Sequence, residues 1–185
     1  MKFQNTNIKD CEIINYQSFP DNRGFFSTPY NLYQINDGLL MDVDFIQDNV
    51  SYSKKNVIRG LHFQTGEFEQ AKLVNCFWGR IIDVVVDIRK DSPTYGQWEK
   101  FLLTEDNFNM VWIPGGFAHG FLSLEDDTHL IYKTSGLYNK EADGSINPLC
   151  DTLNIDWEVE KDNLILSEKD RQAQSFLNYK VDPKF

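Results

Sequence analysis

The sequence predicts an all-β chain, an antiparallel double-sheet jelly roll with short peripheral helices, and three observations carry that prediction. Short runs rich in Val, Ile, Phe, Tyr and Trp recur along its 185 residues. Turn formers such as "PDNRG", "DSPTYG", "PGG" and "EDD" separate them. Helical patterning is confined to two brief stretches, and strands at this spacing assemble into sandwiches or barrels.

In chain order the strand-like runs are "CEIINYQSF", "VDFIQDNVSYS", "VIRGLHFQ", "AKLVNCFWG", "RIIDVVVDIR", "QWEKFLLTE", "NMVWIP", "AHGFLSLE" and "THLIYKTSG". "YNLYQIND" reads as an early helix. "SEKDRQAQSFLN" reads as a late one, with Ser167 at its N-cap and Glu168 and Asp170 in the first turn, where acids favour the helix dipole. No repeat, low-complexity segment or flexible linker interrupts the chain, so a single domain over residues 1–185 is expected.

Alternation then sorts side chains between faces. In "RIIDVVVDIR" the residues Ile82, Val84, Val86 and Ile88 share one face and Asp83, Val85, Asp87 and Arg89 the other, the pattern of a half-buried strand. In "IRGLHFQ" strict alternation puts His62 beside Gly60 and Gln64 and sends Arg59, Leu61 and Phe63 to the opposite face. Histidine and glutamine beside glycine suit a pocket wall better than a core.

Charge and cysteine usage exclude several classes. A net charge of −10 disfavours a nucleic-acid or membrane-surface binder, because neutralising phosphates requires a basic field. Cys11, Cys76 and Cys150 are scattered without CxxC spacing, which argues against a disulfide framework or a zinc site and suggests a reducing cytoplasm. The opening "MKFQNTNIKDCE" has no apolar core of a signal peptide, and no run approaches a membrane span.

Three histidines remain to be placed. His62 on its own reads more readily as a buried structural histidine, but Arg59 and Lys72 lie close in sequence and "FAHGF" supplies His119, which tips the balance to function. These cations suit a phosphate or a developing oxyanion around a base. A cupin-style metal set is incomplete: Gln64 stands where a second histidine is wanted, and a set of His62, Glu69 and His119 would have Lys72 beside it, so neither metal nor cofactor is expected. His129 reads as structural or exposed. Tyr132, on the other face of the same run, is either a strand aromatic or a phenolic proton donor. No GxSxG elbow or phosphate loop appears, and Cys76 has no evident activating base.

Taken together, "DNRGFF", "FIQDNVSYSKKNVIRGLHFQ", "AKLVNCFWGRIIDVVVDIRKDSPTYGQW", "VWIPGGFAHGFLSL", "LIYKTSGLY" and "LSEKD" resemble, in order and spacing, the dTDP-4-dehydrorhamnose 3,5-epimerase family from about Ile13 to Asp170. The resemblance implies a metal-free cupin-type jelly roll and a homodimer. It implies inversion of C3 and C5 of a nucleotide-linked 4-keto-6-deoxy sugar, for surface polysaccharide. It makes His62 the base, Asp170 its partner, Lys72 the enolate-stabilising cation and Tyr132 the proton donor. Substrate contacts fall to Arg23, Phe26, Thr28, Gln47, Asp48, Asn49, Arg59, His119, Tyr138, Asp143 and Lys169, and the segment near Arg23 and Phe26 is implied to reach the partner's pocket. Asp83 stays open as a second candidate partner for His62.

Three positions depart from the family pattern: Thr28 replaces a usual glutamate, "NPLCD" at 147–151 replaces a Trp-Asn-Asp run, and Asn75 replaces a common arginine. They leave as alternatives a GDP-linked hexose or heptose, a single-site epimerase or ketoisomerase, and, more distantly, a metal-dependent cupin or a sugar-binding jelly roll.

Overall fold

The computed structural model describes residues 1–185. Its strands are β1 (Lys2–Asn5), β2 (Glu12–Asn15), β3 (Ser18–Asp21), β4 (Gly24–Ser27), β5 (Gln47–Ser53), β6 (Ile58–Gln64), β7 (Lys72–Trp78), β8 (Arg80–Asp87), β9 (Trp98–Thr104), β10 (Asn109–Ile113), β11 (Phe117–Ser123), β12 (Thr128–Thr134) and β13 (Asp143–Ser145). Helices α1 (Leu32–Leu39), α2 (Glu168–Arg171) and α3 (Phe176–Tyr179) are short and peripheral.

Two antiparallel sheets stack face to face. One has six strands in the order β1-β2-β10-β7-β12-β5, the other five in the order β13-β6-β11-β8-β9, and β3 and β4 form a separate hairpin. This is the expected jelly roll, although the two sheets do not close into one continuous barrel. Between them packs an apolar layer that includes Val74, Val85, Phe101, Val111, Phe121 and Leu130. The outer face of the five-stranded sheet is covered by the chain after β13, through Trp157, Phe176 and Tyr179. Part of the outer face of the six-stranded sheet is covered by α1, through Ile35 and Leu39 against Leu73 and Trp112.

Strand β8 departs from the half-buried expectation. Ile82, Val84, Val86 and Ile88 pack outward under the C-terminal segment, whereas Ile81 and Val85 pack inward between the sheets. Both faces are therefore buried, and Asp83 lies inside with no exposure. The late helix also splits in two. Ser167 caps α2 as expected, but Ser175 accepts from Asn178 N and starts α3 afresh after Gln174 bridges to Ile146. A serine hydroxyl that satisfies free N–H groups begins a new helix more readily than it continues an old one. Strands β1, β4 and β13 were not foreseen, and β3 only through Ser18 and Phe19 at the end of "CEIINYQSF": each has only three or four residues, with little or no burial to imprint a pattern.

Candidate active site

Strand β6 carries the first functional group, and a local irregularity sets its geometry. His62 pairs with His119 across β11, yet Arg59 pairs with Phe121, so the register slips by one residue between them. Gly60, at φ +128°, makes the slip possible, because a Cβ there would lie 2.5 Å from Gly120 Cα. In consequence Arg59 and His62 line the same cavity, while Ile58, Leu61 and Phe63 join the core beneath. The expectation that Arg59 faces away from His62 is corrected by this slip.

The cavity has two lobes that share His62, Lys72, Tyr132 and Lys169. The larger, of about 520 Å³, adds Ser51, Arg59, His119, Phe121, Leu166 and Asp170 among its walls. The smaller, of about 240 Å³, adds Gln47, Asn49, Gln64, Gln70, Tyr138 and Asp143. Its wall is rich in amides and also carries the rings of Phe63, Tyr132 and Tyr138.

One nitrogen of the half-exposed His62 ring lies 2.6 Å from Asp170 Oδ1. Helix α2 delivers Asp170, whose backbone N–H donates to the Ser167 cap at 3.1 Å. Burial works to raise the Asp170 carboxyl, but the hydrogen bond and charge of His62 outweigh it and hold the group below the usual carboxylate range. The carboxylate is thus ionised near neutrality, fixes the imidazole, and leaves its second nitrogen without a protein partner. Asp83, the other candidate, lies 2.7 Å from His119 instead. Two imidazole–carboxylate couples therefore stand side by side, their histidines paired across neighbouring strands.

Lys72, at the start of β7, is buried, and its only side-chain hydrogen bond is a long one of 3.4 Å to the His62 carbonyl. Burial pulls its pKa down to about 8, partly offset by the charges of Asp83 and Asp143. Most of its donor capacity faces the cavity. Tyr132 approaches from the six-stranded sheet, opposite His62 on the five-stranded one, and burial raises its phenol, eased by Arg59. A ligand lying between the sheets would meet an imidazole on one side and a phenol on the other.

Most of the remaining expected residues fall where they can meet a ligand. Arg59 is held by Ser53 Oγ at 3.1 Å and the Tyr52 carbonyl at 2.9 Å. Gln47 and Asn49 are joined side chain to side chain at 2.7 Å, and Lys169 is paired with Asp143 at the mouth. Asp48 is a correction. It projects from the opposite face of β5 and pairs with Lys133 at 2.7 Å on the outer surface, as alternation between Gln47 and Asn49 requires. Arg23, Phe26 and Thr28 belong to the β3–β4 hairpin and the residue after it, and none lines this chain's cavity. Arg23 instead pairs with Asp21, and Phe26 is exposed.

Gln64 explains its own departure from a metal set. Its amide donates to Asp143 at 3.4 Å and accepts from Asn139 N at 2.8 Å, bracing the wall of the smaller lobe. Glu69 lines a different cavity with Lys9 and Arg89. Ser51, Gln70, Phe121 and Leu166 were missed. For Ser51 the signal was available, since it follows Gln47 and Asn49 at a spacing of two on one strand.

Such a site, an oriented imidazole and a phenol flanking a buried ammonium inside a cupin-like jelly roll, defines an enzyme that moves protons on and off carbon. Comparison with known proteins narrows the class. The dTDP-4-dehydrorhamnose 3,5-epimerase family model matches residues 5–178, and the chain belongs to that family. It is an isomerase of the epimerase type. The Escherichia coli (strain K12) dTDP-4-dehydrorhamnose 3,5-epimerase is 46% identical over 167 residues, 90% of each chain. The crystal structure of the enzyme of that name from Elizabethkingia anophelis superposes with a TM-score of 0.92 at 42% identity, covering 96% of this chain and 97% of that one. A Legionella pneumophila dTDP-6-deoxy-D-glucose-3,5-epimerase, solved in complex with dTDP-4-keto-L-rhamnose, superposes with a TM-score of 0.92 at 38% identity, covering 100% and 98%.

Proposed function

We propose that this protein inverts C3 and C5 of a dTDP-linked 4-keto-6-deoxyhexose through enolate intermediates, as a cytoplasmic homodimer of one domain spanning residues 1–185. The observation that carries the reading is the convergence of the His62–Asp170 couple, Lys72 and Tyr132 on one cavity. The 4-keto group acidifies the hydrogens on C3 and C5. His62 removes one, the electron pair moves onto O4, and the Lys72 ammonium stabilises the charge that develops there. Tyr132 then returns a proton to the same carbon from the opposite side, which inverts it. Solvent takes the proton from His62 and reprotonates the phenolate, so no redox partner is consumed.

Tyr132→Phe is expected to separate the two halves of that cycle: solvent exchange at the acidified carbons persists while inverted product falls. Loss of neither would return Tyr132 to an ordinary packed aromatic.

The homodimer is supported by what the fold leaves uncovered. Beyond the reach of α1, the outer face of the six-stranded sheet exposes Val50 at 68% and Phe77 at 67%, with Tyr52 beside them. The hairpin exposes Phe19, Phe25 and Phe26, and Phe25 packs on Phe108. An apolar surface of this kind suits a second copy. In that arrangement Arg23, Phe26 and Thr28 serve the partner's cavity, which accounts for their absence from their own.

The relatives named for dTDP sugars support a thymidine nucleotide, whereas Thr28 lacks the charge of the usual glutamate. Calorimetric titration with dTDP and GDP tests the choice: dTDP should bind at least tenfold more tightly, and tighter GDP binding would overturn the nucleotide assignment.

A further inference from the structure

Two buried side-chain polar atoms have no hydrogen-bond partner, Ser51 Oγ and Asp83 Oδ2. Asp83 is fully buried, outside the cavity lining, and already engaged through its other oxygen by His119. Ser51 is different, because it lines the larger lobe. A buried hydroxyl left unpaired is unfavourable, and the Ser51 oxygen, shielded from solvent, needs only a turn about its Cα–Cβ bond to meet a ligand in the lobe that the residue lines.

We infer that Ser51 is a specificity residue that hydrogen-bonds the C2 hydroxyl of the bound hexose, an inference that rests on the proposed epimerase reading. Placement favours the sugar. Ser51 sits on the inward face of β5, opposite Leu130 of β12 and one alternation step from Asn49, which faces Tyr132. Nearby hydroxyls are committed: Ser53 accepts from Arg59, and Ser167 accepts from the Asp170 N–H. The rest of the lobe is apolar, cationic, engaged in the acid–base chemistry or, as His119, paired with Asp83, with Val57, Ile58, Phe121, Ile165 and Leu166 forming its apolar part. Ser51 is thus the uncommitted neutral hydroxyl of the lobe, and a serine both donates and accepts, as a sugar hydroxyl does.

The chemistry of the ring selects the position. A 4-keto-6-deoxyhexose linked through C1 carries hydroxyls only at C2 and C3. Inversion carries the C3 hydroxyl to the other face of the ring, so a partner fixed to a strand cannot serve it before and after. The C2 hydroxyl keeps its configuration and can hold one partner throughout.

Binding of three unreactive probes to wild type and Ser51→Ala tests the inference: dTDP, dTDP-6-deoxyglucose and the 2-deoxy counterpart of that sugar nucleotide. Ser51→Ala should bind dTDP within about twofold of wild type and dTDP-6-deoxyglucose about tenfold more weakly, the worth of one net hydrogen bond. The 2-deoxy ligand should bind both proteins equally. Without ligand, the melting temperature of Ser51→Ala should equal or exceed that of wild type, because no protein hydrogen bond is removed. Equal weakening toward dTDP and its sugar would place the hydroxyl at the diphosphate and overturn the inference, as would no change for any ligand, or a difference that persists with the 2-deoxy sugar. Failure of wild type to bind all three would overturn the epimerase reading itself, and is recognisable because it does not depend on the substitution.

Discussion

Replacing His62 with alanine is expected to lower epimer formation by about 10² to 10⁴, the usual worth of a positioned general base. The structure identifies what is lost, since the ring is oriented by Asp170 at 2.6 Å and its second nitrogen has no other use in the protein. Folding should survive, because the His62 ring is half-exposed and lies outside the apolar cores. His62→Asn sharpens the expectation. An asparagine amide can still donate to Asp170 but cannot accept a proton from carbon, so it should lose about as much activity as alanine. A His62→Asn enzyme of near wild-type rate would mean that the base is elsewhere, with His119 the first place to look. Steady-state formation of the inverted sugar, read beside circular dichroism of each variant, checks both.

The second large effect is expected at Lys72. Lys72→Met keeps much of the buried apolar stem and removes the ammonium, and the loss of a preorganised stabiliser of a developing oxyanion typically costs about 10² to 10³ in kcat. Binding of dTDP alone should change far less, because the enolate oxygen is absent from it. The pH dependence has a definite sign. Burial lowers the Lys72 pKa from its ordinary value to about 8, so the group is charged below that pH and neutral above it. Enolate stabilisation is therefore present near neutrality and fades as pH rises through about 8, giving an alkaline limb to kcat. A kcat profile that stays flat to pH 9.5 in wild type would contradict the role assigned to this ammonium.

How much of this was legible in the sequence depended on which physical signal each residue carries. The long inner strands were readable because burial imposes a run of β-branched side chains along β8 and alternation along β12. Short exposed pairs such as β3 with β4 carry no such imprint. Alternation also misled, at β8 and again beside Gly60. At Gly60 a slip of one residue swings Arg59 into the cavity beside His62, and a local pattern count has no means of registering a neighbouring strand that approaches this closely. The choice between Asp170 and Asp83 could not be made from spacing, because the two acids lie far apart in the chain and only the fold brings each to its own histidine. At Asp48 and Ser51 alternation would have chosen correctly had it been applied to β5, where Gln47, Asn49 and Ser51 face inward and Asp48 pairs with Lys133 outside.

The central claim is that protons leave and return to carbon through an enolate held between His62 and Tyr132. Incubating the wild-type enzyme in deuterated water with a dTDP-linked 4-keto-6-deoxyhexose, and reading the recovered sugar by NMR, tests it most directly. The account predicts deuterium at C3 and C5 of the inverted product, with incorporation reduced by about 10² or more in His62→Ala. Inverted product that carries no solvent deuterium, or wild-type incorporation in His62→Ala, would contradict it.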